Sequence, residues 1–226
     1  MPAVKKPAKA TSTPMYAFEA FLKGISEGKH ALTLLKDKKV FSQGDRADAI
    51  YFLQTGRVKV SVISSAGKEA VLSLLGPQSF FGEGALVGQS LRMSTVTTLE
   101  PITMLRVERR AMLRALHDRV DLSEGFMSSL LKRNIDLEAD LCDQLFNHSE
   151  KRLARVLLKL ARLREPPVVS DATVPAMSHE ILAEMVGTTR SRITFFMNKF
   201  RKMGLIEYNG HLVVRTELLT DMVLHD

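Results

Sequence analysis

The sequence predicts an α+β chain: an N-terminal double-stranded β-helix jelly roll, a long dimerisation helix and a C-terminal winged helix-turn-helix. Three observations predict it. Short apolar runs between Val40 and Val107 are separated by glycine turns. Helical periodicity runs without a proline from Asp121 to Asn147. A pair of capped helices between Met177 and Arg201 precedes an Asn-Gly turn.

The first region reads as strands. Val58, Val60 and Val62 alternate with Lys59 and Ser61, which is the period of a half-buried strand. Val71, Leu72, Leu74 and Leu75 form another run, and Val96, Ile102, Met104 and Val107 continue the series. Gly44-Asp45, Gly56, Gly67, Gly76-Pro77 and the stretch from Gly82 to Gly88 supply turns between them. Many short strands at this spacing indicate a barrel or jelly roll.

Helix takes over near Glu108. Met127, Leu130, Asn134, Leu137, Leu141 and Gln144 recur at three- and four-residue steps, the spacing of a coiled-coil seam. Leu131, Ile135 and Leu145 form a neighbouring stripe. Two apolar faces need two partners, so one stripe is expected on the barrel and the other on a second copy of the same helix. Asn134 within the seam would fix register. The pattern restarts after Asn147-His148, with Ser149 as N-cap, and Pro166-Pro167 ends it. His148 is therefore the expected hinge.

The C-terminal segment holds the strongest motif. Ser178 caps a helix from His179 to Val186, and Gly187 supplies the tight turn. Thr188 or Thr189 caps a second helix from Arg190 to Lys202. Ile193, Met197 and Phe200 face inward, while Arg190, Ser191, Thr194, Phe195 and Asn198 share another face. Arginine at the first turn of such a helix can reach a guanine edge in the major groove. Asn209-Gly210 between apolar runs marks a hairpin, the wing.

Composition agrees with a nucleic-acid partner. The formal net charge is +7. Residues 149–226 hold 12 basic and 9 acidic side chains, and the stretch Thr188 to Lys202 holds five basic residues and no acid. The tail, residues 1–14, reads as disordered and basic, and a short helix is expected from Tyr16 to Ile25. No apolar run is long enough to span a membrane, and no apolar stretch follows the first lysines, so the expected location is the cytoplasm. The single cysteine, Cys142, excludes an internal disulfide, a cluster or a structural zinc site. His30 is the only histidine before His117, which argues against a barrel metal triad and, with no nucleophile motif, against an enzyme. No catalytic or metal-ligating residue is assigned.

Three stretches, in order, resemble the CRP/FNR superfamily of bacterial regulators. VFSQGDRADAIYFLQTGRVKV (Val40 to Val60) is similar to the opening strands of a cyclic-nucleotide-binding jelly roll. FGEGALVGQSLRMSTV (Phe81 to Val96) is similar to that fold's phosphate-binding cassette. LAEMVGTTRSRITFFMNKF (Leu182 to Phe200) is similar to the family helix-turn-helix.

The resemblance implies a homodimer on palindromic double-stranded DNA, RNA polymerase as a partner and allosteric control by a small effector. It implies cAMP or cGMP first; haem, an organic acid or no ligand are the alternatives. It places the effector at Gly82, Glu83, Gly84, Arg92, Met93 and Ser94, with Leu137 and Glu138 on the long helix where the family's receptors carry paired hydroxyls against adenine. Glu83 and Arg92 could alternatively form a buried structural pair. Met93 stands where those receptors have a small hydroxyl residue. On the reading helix, Ser191 and Phe195 replace a glutamate and an arginine, so the site differs from TGTGA-like half-sites. His179, Thr189 and Lys199 are expected at phosphates. The expected division is a tail at 1–14, a sensor domain at 15–120, the dimerisation helix at 121–147 and the DNA-binding domain at 148–226.

Overall fold

A strand whose two faces are both covered must be apolar at every position, and the run Ala49 to Leu53 is such a strand. It is β3 (Ala49–Thr55) of a two-sheet barrel. Its companions are β1 (Lys29–Leu34), β2 (Lys39–Phe41), β4 (Val58–Ile63), β5 (Glu69–Leu75), β6 (Phe80–Phe81), β7 (Thr95–Thr98) and β8 (Ile102–Glu108). The computed structural model describes residues 25, 27–162, 171–175 and 177–225. The basic tail, the helix expected before Ile25 and the Pro166-Pro167 stop lie outside them. Two antiparallel sheets, ordered β1-β8-β3-β6 and β2-β7-β4-β5, face each other. Between them lie Phe41, Tyr51, Leu53, Val60, Phe81 and Met104. On the outer face of β3, Ile50 and Phe52 pack under α1 (Arg109–Asp118) and Phe126 of α2 (Val120–Phe146). One strand thus feeds two clusters, which is why its sequence shows no alternation.

The alternation expected in β4 holds only halfway. Val58 and Val60 are buried, but so is Ser61, and Val62 is half-exposed. The register against β5 shifts between Val60 and Ser61. Val60 pairs with Ser73 and Ser61 with Val71, so the extra residue, Leu72, lies in β5 and marks a bulge there.

Helix α2 ends at Phe146, and Asn147 is extended at φ −106° and ψ 145°. The next helix, α3 (Ser149–Arg162), starts two residues later. Ser149 is its first helical residue rather than its cap, and the His148 carbonyl accepts from Arg152 N at 3.0 Å. Charged pairs bracket this break. Arg155 lies 2.7 Å from Asp143, Lys159 pairs with Asp140, and Arg152 donates to Gln144 Oε1 at 2.7 Å. Gln144, expected in the dimer seam, is thus engaged by its own chain.

The last unit contains β9 (Asp171–Val174), α4 (His179–Val186), α5 (Arg190–Lys202), β10 (Ile206–Tyr208), β11 (Leu212–Arg215) and α6 (Thr216–His225). Its sheet is ordered β10-β11-β9. The Asn209-Gly210 turn joins β10 to β11, with Gly210 at φ 72°. The strand β9 and helix α6 extend the expected winged unit. Leu153 and Leu157 of α3, Leu182 and Val186 of α4, Phe200 of α5 and Leu219 of α6 form one core.

This core reaches the barrel through Leu74 of β5. Beside it, Lys59 Nζ stands 2.9 Å from Glu69 and 3.3 Å from Glu184 of α4. Burial alone would lower the Lys59 pKa, but the two carboxylates outweigh it and hold it above 10.5. Burial likewise acts to raise Glu69, and the Ser61 hydroxyl with Lys59 brings it below 4.5. The Lys59 contribution is complete below its usual value and lost only as pH climbs through the raised one. The Glu69 contribution is complete above 4.5 and lost as pH falls through the depressed value. The bridge is therefore intact at neutral pH and breaks in acid. Lys59→Met is expected to lower the urea midpoint at pH 7, and the gap to wild type should close as pH falls through the depressed Glu69 value. An unchanged gap in acid would contradict this account.

Candidate nucleic-acid interface and effector cassette

The reading helix is built by local rules. Ser178 Oγ accepts from Ile181 N at 3.3 Å and starts α4. Gly187, at φ 69°, closes it in the left-handed region and turns the chain toward α5. Thr189 Oγ1 accepts from Arg192 N at 3.4 Å and starts α5. The apolar face of α5 (Ile193, Phe196, Met197, Phe200) is buried against the core. That anchoring fixes the opposite face outward, and Arg190, Ser191, Thr194, Phe195 and Asn198 are all exposed. Phe195 is 66% exposed, with its ring 5.7 Å from that of Phe196. An aromatic ring in this setting suits a thymine methyl.

Several of these side chains are already engaged. Arg190 Nη1 lies 2.8 Å from Glu180 Oε1. His179 Nδ1 is 2.8 Å from Thr194 Oγ1, and Thr189 Oγ1 is 3.1 Å from Ser191 Oγ. Lys199 is held 2.7 Å from Glu150 of α3, so its charge is partly neutralised before any phosphate arrives. Glu180 was not among the expected residues. Its signal was local, an acid in the first turn of α4.

The cassette joins β6 to β7 and opens on a short 3-10 helix, Glu83–Val87. Arg92 is 4% exposed. Its Nη1 donates to Gly82 O at 3.0 Å and its Nη2 to Ala49 O at 2.7 Å. Its guanidinium carbon lies 4.4 Å above the Phe41 ring and 5.5 Å from that of Tyr51. A Cβ at residue 82 would stand 2.7 Å from Arg92 Nη1, so this close approach requires glycine. Burial pulls the Arg92 guanidinium below its usual pKa, and Tyr51 and Asp48 only partly oppose it.

The alternative, a buried Glu83–Arg92 pair, does not form. Glu83 Oε1 instead accepts from Arg133 Nη1 of α2 at 2.9 Å. Arg133 carried no signal in the sequence, because the contact spans 50 positions and lies on neither apolar stripe. Two buried polar atoms in the cassette, Arg92 Nε and Glu83 Oε2, have no partner. A cation and an acceptor left open within one loop fit a ligand carrying an anion and a hydroxyl, as a cyclic nucleotide does. Among the other expected residues, Gly84 sits inside the 3-10 helix, Ser94 is half-buried and Met93 is exposed. Leu137 lies one turn beyond Arg133, and Glu138 accepts from Asn134 Nδ2 at 2.7 Å. The long helix therefore reaches the cassette through Arg133.

Leu130 also differs from its expected place. It is half-buried and packs on the barrel cluster of Phe80 and Phe126. The exposed stripe of α2 runs instead through Met127, Leu131, Ile135, Leu137, Leu141 and Leu145.

A barrel with an arginine cassette is tied by one long helix to a winged helix-turn-helix. Residues 32–119 match the model of the cyclic nucleotide-binding domain, and residues 151–221 match that of the Crp-like helix-turn-helix domain. The cyclic AMP receptor protein of Thermus thermophilus is 30% identical, over 82% of this chain and 84% of its own. The global nitrogen regulator of a Nostoc species is 29% identical, over 77% of this chain and 79% of its own. FixK2 from Bradyrhizobium japonicum shares the fold with a TM-score of 0.75 at 16% identity, covering 88% of this chain and 98% of that one. The chain belongs to the CRP/FNR superfamily. It is a DNA-binding transcription regulator and not an enzyme. Among the described residues no helix is long and apolar enough to cross a membrane.

Proposed function

We propose that this regulator works in the cytoplasm as a homodimer, reads a two-fold DNA site with α5 of each protomer, and is switched by a cyclic nucleotide, cAMP or cGMP, held in the cassette. The observation that carries the DNA reading is the split of α5 into a buried apolar face and a wholly exposed face headed by Arg190. Arg190 reads guanine, Ser191, Thr194 and Phe195 face neighbouring bases, and His179, Thr189 and Lys199 contact phosphates. RNA polymerase is the partner through which binding acts on transcription.

The effector reading rests on Gly82, Glu83 and Arg92. Arg92 would meet the phosphate and Glu83 a ribose hydroxyl. A hydroxyl accepted by Glu83 Oε2 shares the carboxylate with Arg133, which holds Oε1, and so bears on α2 directly. That supplies the difference between bound and free states that any ligand needs in order to shift an equilibrium. The base-side positions Met93, Ser94, Leu137 and Glu138 differ from the hydroxyl pattern of the family's cAMP receptors, so this side decides between adenine and guanine.

Selection of bound duplexes from a random pool, with no nucleotide, with cAMP and with cGMP, tests both readings. A palindrome enriched in a nucleotide-dependent way is expected. Equal enrichment in all three arms would remove the effector and leave the reader. Once the site is known, Arg190→Ala is expected to weaken its binding by about 1–3 kcal/mol and to relax one base position. Equal loss on random DNA would remove the base-reading role of Arg190.

A further inference from the structure

An acid at a protein–DNA boundary is costly, because it faces phosphates. Glu180 stands there nonetheless, 2.8 Å from the guanidinium that heads the reading helix. Its place is held by several contacts: the carboxylate accepts from its own backbone N–H and from the Ser178 hydroxyl, with Arg190 adding positive charge. A structural reason for the pair is weak. Both partners are largely exposed, Arg190 at 71%, and such pairs contribute little to stability. The helix start is already served by Ser178.

The surroundings show how firmly Arg190 is held. Thr194 Oγ1 donates to the Arg190 carbonyl at 3.1 Å. That uses its one proton, so the 2.8 Å contact with His179 Nδ1 is donated by the imidazole. Arg190 is thus fixed at its backbone through Thr194 and at its head through Glu180. The pair with Glu180 engages Nη1. A guanidinium has five N–H donors, and a guanine O6/N7 contact needs two of them.

We infer that Glu180 is a specificity-determining residue of this reader, holding Arg190 away from phosphates and presenting its remaining donors to a guanine. The inference deepens the DNA reading above and rests on it. On non-cognate DNA, a phosphate must compete with a carboxylate already in place and is itself repelled by it. On the cognate site, guanine meets an arginine whose orientation is already fixed, and Glu180 stays as its buttress. Glu180 therefore weakens random binding more than cognate binding, which is discrimination by a repulsive element.

The test uses the full-length protein and the duplex selected from the random pool. Affinity for that site and for a scrambled duplex of equal length is measured across a salt series. The proteins are wild type, Glu180→Gln, Arg190→Ala and the double variant. Glu180→Gln is expected to bind scrambled DNA about tenfold tighter, with a log–log salt slope steeper by about one. Cognate affinity should change about threefold or less, so the selectivity ratio falls. A gain on scrambled DNA cannot come from a misfolded chain. In the Arg190→Ala background, Glu180→Gln should leave the ratio unchanged. An unchanged ratio in the single variant, or the same fall with Arg190 absent, overturns the inference alone. A wild-type chain that enriches no sequence overturns the DNA reading with it.

Discussion

Leu141→Glu is expected to leave the protomer folded and to take the dimer apart. Leu141 is 59% exposed in the protomer, so its replacement costs the fold almost nothing, and glutamate is a good helix former. In a two-fold pairing of α2 the same side chain is covered twice. Each lost leucine removes about 2 kcal/mol of apolar burial, and two carboxylates are placed in the seam instead. The loss of about 4 kcal/mol or more weakens association about a thousandfold. Sedimentation velocity should show a monomer, and the thermal midpoint of that monomer should match diluted wild type. Affinity for the full palindrome should fall by two orders of magnitude or more, because two linked half-sites become independent. Binding to one half-site should barely change. A variant that still sediments as a dimer would sink the proposed interface.

The choice of Leu141 depends on the structure. The sequence showed that α2 had two apolar stripes but divided them wrongly. Leu130 and Gln144 share the heptad phase of Leu137 and belong to the same expected seam as Leu141, yet Leu130 lies on the barrel and Gln144 binds Arg152. The barrel covers Phe126 and Leu130, while Met127, Leu131, Ile135, Leu137, Leu141 and Leu145 stay exposed, and a heptad pattern carries no information about which of its positions the barrel covers. The same division holds elsewhere. Ser178, Gly187, Thr189 and Asn209-Gly210 act within a few residues of themselves, so caps and turns were legible. The contact of Glu83 with Arg133, the bridge from Lys59 to Glu184 and the bulge at Leu72 are set by which surfaces meet in three dimensions. The jelly roll was legible as a class because turn glycines recur. The register within it was not.

The site was legible in a similar proportion. A glycine beside an arginine can be read as a cassette, but the partner each side chain chooses cannot. Arg92 was expected on a ligand or, alternatively, on Glu83; the Glu83 pair is absent, and its two Nη atoms donate to carbonyls of its own barrel. This bears on the effector. A buried arginine that served only the fold would be fully compensated, and Arg92 is not: Nε lacks a partner, and burial depresses its pKa despite Tyr51 and Asp48. The folded chain carries a buried cation with one donor open, to which an anion would add a charge-assisted contact.

Arg92→Leu therefore separates two roles that ordinary truncation would confuse. The change removes two charge-assisted hydrogen bonds but also the cost of burying the charge, and it keeps an apolar side chain in the space. These effects oppose, and stability without effector is expected to shift by about 1 kcal/mol or less in urea unfolding. Affinity for the effector should fall much further. Removing one side of a desolvated charge contact costs about 2–5 kcal/mol, or about 30- to 5000-fold. Calorimetry with cAMP and cGMP measures this directly. The rise in thermal midpoint that a saturating nucleotide gives wild type should be absent in the variant. Loss of about 3 kcal/mol of stability with undiminished nucleotide binding would assign Arg92 to the barrel rather than to the signal.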